Sequence, residues 1–440
     1  MSRRTIAQLT ADNTNLSTLV TSGARVSKSD HQAMNQNIID SFSMGIFDIK
    51  NYGASPTGSV SDDSTAGIQA AVNAAMSQGG GVIFIPPGRF RTTSTILGKS
   101  APDNLYFLGC GEASQICPDG NFGDVIDLVP TVPRDNLHPV YGVKFDKIFF
   151  NPLNNRTTGW IINTKYTHAA RVMDCRIGTL QWQGSSSFPI YAYQGVNFDI
   201  QTSALFFASQ VHAKKTCLRW SGDFTRFTGQ LGHGFWGGFC LGGCDIWGDK
   251  WNGGGSSYYP DSAGILLEGT GGFQLNQANI SFFENGVYCL GNTRELFLED
   301  AFMGDDCGGA GIRVEGTCNI ITFDNVWVGG SNRAGMAPTP GVYIADSMVP
   351  TWNPPGITDT RIQITGGTVY GCGGDGIYVG AGIVNITGVQ SYANTGNQLV
   401  LGPNVKKASI VGGWIPGFVN NSAPAITPKI RGVIDLADAG

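Results

Sequence analysis

Six carboxylates crowd into one stretch of the chain: Glu284, Glu299, Asp300, Asp305, Asp306 and Asp324. Paired carboxylates can cleave a glycosidic bond, one giving a proton to the leaving oxygen while the other attacks or activates water. Two like charges held together push one partner's pKa upward, which makes an acid and a base out of identical groups. A second constellation lies just upstream in a glycine-rich passage, where Trp236, Trp247, Trp251, Tyr258 and Tyr259 accompany Asp245, Asp249 and Asp261. Flat aromatic rings bury the apolar faces of sugars, and nearby carboxylates accept hydrogen bonds from sugar hydroxyls. Each group also has a plainer reading. Aspartates favour turns whatever their function, and the rings can pack the core of their own loop.

Other chemistries find less footing. His138, His168, His212 and His233 are scattered, without a serine elbow or metal spacing beside them. Gly79-Gly80-Gly81 follows a helical stretch rather than preceding one, so it is no phosphate cradle. Cys240-x3-Cys244 lacks the second ligand pair of a metal site, and the ten cysteines read as buried free thiols of a reducing compartment. No metal or cofactor motif is found. Calcium-assisted lyase chemistry needs acidic oxygen ligands and a cationic base. Arg294, Arg313 and Arg333 lie near the acidic stretch, so that chemistry stays open without a motif. A net charge of −5 argues against nucleic acid as partner. No run of apolar residues is long enough to span a membrane, and no apolar leader core opens the chain.

Something must bring those carboxylates together, and a repeat does. Gly264-Ile-Leu-Leu, Gly286-Val-Tyr-Cys, Gly311-Ile-Arg-Val, Gly341-Val-Tyr-Ile and Gly376-Ile-Tyr-Val share a glycine with apolar residues at the second and fourth positions, at spacings of 22, 25, 30 and 35 residues. A second set around Ile362, Ile386 and Ile410 recurs every 24 residues. A period in the twenties with variable insertions marks a β-solenoid whose loops emerge between coils. The composition agrees: 63 of 440 residues are glycine, and charged residues make up 14% against about 25% in ordinary domains. Aligning coils sets Glu284 one coil from Asp306 and Glu299 over Asp324. Residues on adjacent coils lie about 4.8 Å apart, near the roughly 5–5.5 Å of retaining glycosidases. The first pair is the preferred catalytic candidate, the second its alternative. Trp247, Trp251, Tyr258, Tyr259, Asp245 and Asp249 are the candidate sugar-binding set.

The segment Phe47–Thr92 is the most specific of all. It reads Asp-Ile-x-x-Tyr-Gly-Ala, then Asp-Asp-Ser-Thr, a helix over residues 64–77 with Ile68, Ala71, Val72, Ala75 and Met76 on one side, and Gly-Gly-Gly-Val-Ile-Phe-Ile-Pro-Pro-Gly. Asp63 or Ser64 can cap that helix, and Val82–Ile85 reads as a buried strand. This order resembles the opening of the pectate-lyase-like superfamily, bacteriophage tailspikes above all. The resemblance implies an all-β fold, a right-handed single-stranded parallel β-helix over residues 46–420, closed at its first coil by the helix. It also implies a homotrimer in the phage virion that recognises a bacterial surface polysaccharide and depolymerises it. Residues 1–45, polar with a short helix pattern, are then an arm that attaches to phage tail or adaptor proteins and helps oligomerisation, or an ordinary loose terminus; 421–440 is a tail. Two other functions compete, a receptor-binding adhesin that does not cut and, further off, a cellular pectin-type enzyme.

Overall fold

The structure is a computed structural model that describes residues 45–100, 102–134, 140–178, 192–199, 203–222, 237–248, 258–303, 307–331, 339–350, 358–421 and 426–432. Phe47–Gly440 groups into one compact unit. Its strands pair in parallel, each with the strand one coil before and one coil after. Three faces result, and parallel crossovers of this kind wind right-handed. Face I carries Ala263–Glu268, Asn285–Cys289, Ile312–Val314 and Val342–Ile344 in succession. Face II carries Phe273–Asn276, Thr293–Glu299, Cys318–Asp324 and Arg361–Thr365. Face III carries Ala278–Ser281, Phe302–Met303, Trp327–Gly329 and Thr368–Tyr370. The chain is therefore the parallel β-helix expected of its repeat.

Strand residues alternate between interior and solvent. The second and fourth positions of the glycine repeat point inward and stack: Ile265, Val287, Ile312, Val342 and Ile377 lie in register and are buried. Aromatic residues fill the bore nearer the first coils, where Phe107 stacks on Phe145 with centroids 4.7 Å apart. The helix Thr65–Ser77 covers the first coil with Ile68, Ala71, Val72 and Ala75, all fully buried. Gly67 lies so close to the backbone of Ala54 that any Cβ there would collide. Ser64 precedes the helix but makes no side-chain cap; it bonds Ser55 instead, while Asp63 accepts from the Thr65 N–H at 2.9 Å.

Between faces II and III the chain turns on one left-handed residue in most coils and on a glycine pair, as at Gly242-Gly243 and Gly366-Gly367, in others. Lys147, Asp174, Ala208, Gln277, Asp300 and Asn325 hold φ between 45° and 57°, and Gly366, Gly388 and Gly412 take the same place further on. From Asp174 onward the N–H of each of these residues donates to a carbonyl one coil along, as from Asp300 to Asp324 at 3.0 Å and from Asn325 to Thr365 at 2.8 Å. The turn costs a non-glycine residue about 1–2 kcal/mol. Asn325 offsets part of that by donating its side-chain N–H to Asp300 at 2.8 Å. Parallel pairing runs past residue 420 to Lys429–Arg431, beyond the boundary expected for the tail. Residues 1–44 lie outside the described residues, and so does the expected arm.

Candidate functional site

The inward residues of the glycine repeat leave its third position outward. On face I these third positions are Tyr288, Arg313, Tyr343 and Tyr378, paired in register from coil to coil. At the corner that follows face I, Glu315 and Asp346 stand beside this column. The Tyr288 hydroxyl donates to Glu315 Oε2 at 2.6 Å, and Arg313 donates through Nε and Nη2 to Glu315 Oε1 at 2.9 and 2.6 Å. Tyr378 donates to Asp346 Oδ1 at 2.7 Å. Arg313 lies over the Tyr288 ring at 5.0 Å, and Tyr343 stacks on Tyr378 with centroids 5.5 Å apart and planes 23° off parallel. The result is two carboxylates at neighbouring coils, each bonded by a phenol, with Tyr343 between them.

The electrostatics keep the phenols as donors. Burial and the bond to Glu315 push Tyr288 well above the usual tyrosine range, and burial with Asp346 does the same to Tyr378. Tyr343 is raised too, by burial and then by the charges of Asp346 and Glu315. Burial works against the Arg313 charge, but the bond to Glu315 outweighs it and raises that guanidinium. Glycines make the room. A Cβ on Gly402 would stand 2.7 Å from the Tyr378 hydroxyl and 2.9 Å from Asp346 Oδ1. Gly380 likewise leaves no space for one beside Asp346.

The residues singled out from sequence are dispersed over all three faces. Glu284 sits at the corner leading into face I; its Oε2 accepts from the Asp261 N–H at 2.6 Å, and its own N–H bonds Ser262 Oγ at 2.8 Å. Its charge reaches both Tyr288 and Arg313, so it borders the tyrosine column. Glu299 and Asp324 stand in register at the end of face II, in a file that runs Asn276, Glu299, Asp324, Thr365. Glu299 Oε2 receives long bonds from Gln274 at 3.4 Å and Asn276 at 3.5 Å, and Asp324 is exposed. Asp245 and Trp247 lie on the strand Cys244–Trp247 of face III, with Asp245 3.5 Å from the Gln210 amide. Trp247 packs between His212 and Phe282, at 5.7 and 5.9 Å. Tyr258 is buried against Gly308, and Tyr259 meets Tyr193 edge-on at 5.7 Å. Asp305, Asp306, Trp236, Asp249, Trp251 and Arg333 lie outside the described residues.

Reading from sequence did not single out Tyr288, Glu315, Tyr343, Asp346 and Tyr378. The signal was present in the third position of the repeat, tyrosine or arginine in four coils running. Cys110 is exposed and the remaining cysteines are buried, all of them free.

No family model matches the chain. Mannuronan C5-epimerase AlgE6 of Azotobacter vinelandii is 39% identical over 91 residues, which is 19% of this chain. The matched segment spans 10% of that relative's length. Among solved structures, tailspike protein gp49 from Pseudomonas phage LKA1 superposes with a TM-score of 0.48 at 10% identity, over 88% of this chain and 81% of the other. The Dettilon tailspike protein gives 0.42 at 14% identity, over 89% and 69%. At such identities no residue of the site can be carried over from one to another.

Proposed function

We propose that the chain is a subunit of a homotrimeric phage tailspike, carried on the virion tail through residues 1–45, that binds a bacterial surface polysaccharide and hydrolyses it on face I. The observation that carries this reading is the outward column Tyr288, Arg313, Tyr343 and Tyr378 with Glu315 and Asp346 at neighbouring coils. Stacked aromatic residues offer a sugar its apolar contact, while phenol, guanidinium and carboxylate groups bond its hydroxyls. Asp346, which no cation pairs among the described residues, is the proton donor to the leaving oxygen. Glu315 is paired with Arg313 and serves as nucleophile or base. Its Oε2 accepts one phenol and keeps a second lone pair. The opening segment Phe47–Thr92 supports the tailspike, and the short match to an enzyme named for mannuronan supports a polysaccharide as ligand.

The test is incubation with purified host polysaccharide, following new reducing ends for hydrolysis and unsaturated uronate for lyase action. Glu315→Gln and Asp346→Asn are expected to lower turnover by about two powers of ten, the usual scale of acid–base catalysis, with glycan binding retained. The pair Glu299 and Asp324 and the corner residue Glu284, with its sequence partner Asp306, are the other proposals for the same role. Loss of turnover in Glu299→Gln or Glu284→Gln, with Glu315→Gln active, overturns the face I assignment. The adhesin reading has its own support, since both oxygens of Glu315 already have partners. No cleavage by the wild type, together with weaker binding by Tyr378→Ala, establishes the adhesin.

A further inference from the structure

Between Asp375 and Asp435 the sequence contains no acidic residue, yet it holds Lys406, Lys407, Lys429 and Arg431, in a chain whose net charge is −5. The fold gathers these cations. On face II Arg361, Ile383 and Lys407 form one outward file, and Asn385, Ser409 and Lys429 form the next. Between the last coils a cleft of about 440 Å³ opens, lined by Lys406, Lys407 and Lys429 with Asn385, Ser409 and Thr427, and by no carboxylate among the described residues. The three lysines are exposed. Ammonium groups interleaved with an amide and hydroxyls are what an anionic group carried on a sugar requires: charge at the anion, donors for the neighbouring hydroxyls.

The cleft is also within reach of the tyrosine column. One strand, Ile377–Thr387, carries Tyr378 on face I, bends at Gly382 and then lines the cleft with Ile383 and Asn385. Ile383 follows Tyr378 by five residues, at most about 17 Å of chain. A polymer lying on Tyr343 and Tyr378 thus needs to turn one corner to enter it. We propose that this cleft is a second subsite, which holds the anionic substituent of the glycan (a uronate carboxylate, a phosphodiester or a sulfate). The inference rests on reading the chain as a glycan-binding protein. It adds that the glycan's repeating unit is charged.

The probes are a mannuronate hexamer, a glycerol-phosphate oligomer, a sulfated dextran oligomer and a neutral dextran of equal size, with binding measured by calorimetry at physiological salt. The wild type is expected to bind at least one charged oligomer tenfold more tightly than neutral dextran, and the identity of that oligomer distinguishes carboxylate, phosphate and sulfate. In the full chain, Lys407→Gln with Lys429→Gln is expected to remove that tenfold preference without moving the melting temperature. Equal affinity of the wild type for charged and neutral oligomers overturns the subsite, as does an undiminished preference in the double variant. Glu315→Gln separates the two readings: it is expected to lower cleavage about a hundredfold and keep the charge preference, so either can fail alone.

Discussion

His212 shows how a single buried group ties stability to pH. It lies on face III, 4% exposed, against Trp247, and no partner bonds its Nδ1 among the described residues. Burial, with the Arg176 charge added, depresses its pKa from 6.5 to about 3. The unfolded chain therefore takes up a proton below pH 6.5 that the folded chain refuses until about pH 3. Stability is full above the unfolded value and falls as pH drops through that window, by at most about 1.4 kcal/mol per pH unit. His212→Gln should lessen the fall in melting temperature between pH 7 and pH 4, and an identical fall in both proteins would refute the assignment. The site residues were only partly legible at this scale. Arg313 and Glu284 were visible as charges near an acidic stretch. The tyrosines were hidden because attention to the apolar second and fourth positions of the repeat passed over the third. Asp346 was hidden for a different reason: it follows Ile344 by two residues where Glu315 follows Val314 by one, so no fixed spacing from the repeat finds both.

Among elements, those that bury a patterned face were the readable ones. The helix expected over residues 64–77 is Thr65–Ser77, and the strand expected at Val82–Ile85 is Gly81–Phe84. The corners were not readable. Residues 171–177 look like one strand in sequence, but Asp174 at φ 47° divides them between faces II and III. Because Lys147, Asp174, Ala208, Gln277, Asp300 and Asn325 hold that left-handed turn in some coils and Gly242, Gly366, Gly388 and Gly412 in others, glycine alone does not announce it. Val72, fully buried under the cap, is the point at which to test the helix. An unpaired charge there costs several kcal/mol, so Val72→Asp should uncover the first coil and aggregate. A soluble variant with unchanged melting would remove the helix from its capping role. At the far end, Gly402 lies in the strand Leu399–Val411 beneath the Tyr378–Asp346 pair. Gly402→Ala should shift that pair and weaken glycan binding about tenfold, a larger effect than on melting. Unchanged affinity would mean that the pair does not touch the ligand.

For the β-helix as a whole, the question is what covers its aromatic flank. Face III carries Phe302 stacked on Trp327 with centroids 4.3 Å apart, then Tyr370, Tyr392 and Trp414 at 5.0 and 4.6 Å. Phe302 is 41% exposed and Tyr370 38%. Large aromatic side chains left in water at neighbouring coils mark an association surface more often than a solvated one. Three copies about a common axis would each bury one flank, and closed symmetry would leave no free patch to propagate a filament. Face I, where Tyr288 and Tyr378 are bonded to carboxylates, would then stay open to the glycan. The expected outcome is a trimer in light scattering, both for the full chain and after deletion of residues 1–45. Phe302→Lys with Tyr370→Lys in the full chain should dissociate it, because a cation on each aromatic stack places like charges around the axis. A truncated chain that runs as a monomer would show instead that the first 45 residues hold the assembly. A double variant that remains trimeric would move the contact to another flank, and face I would then have to be tested as part of it.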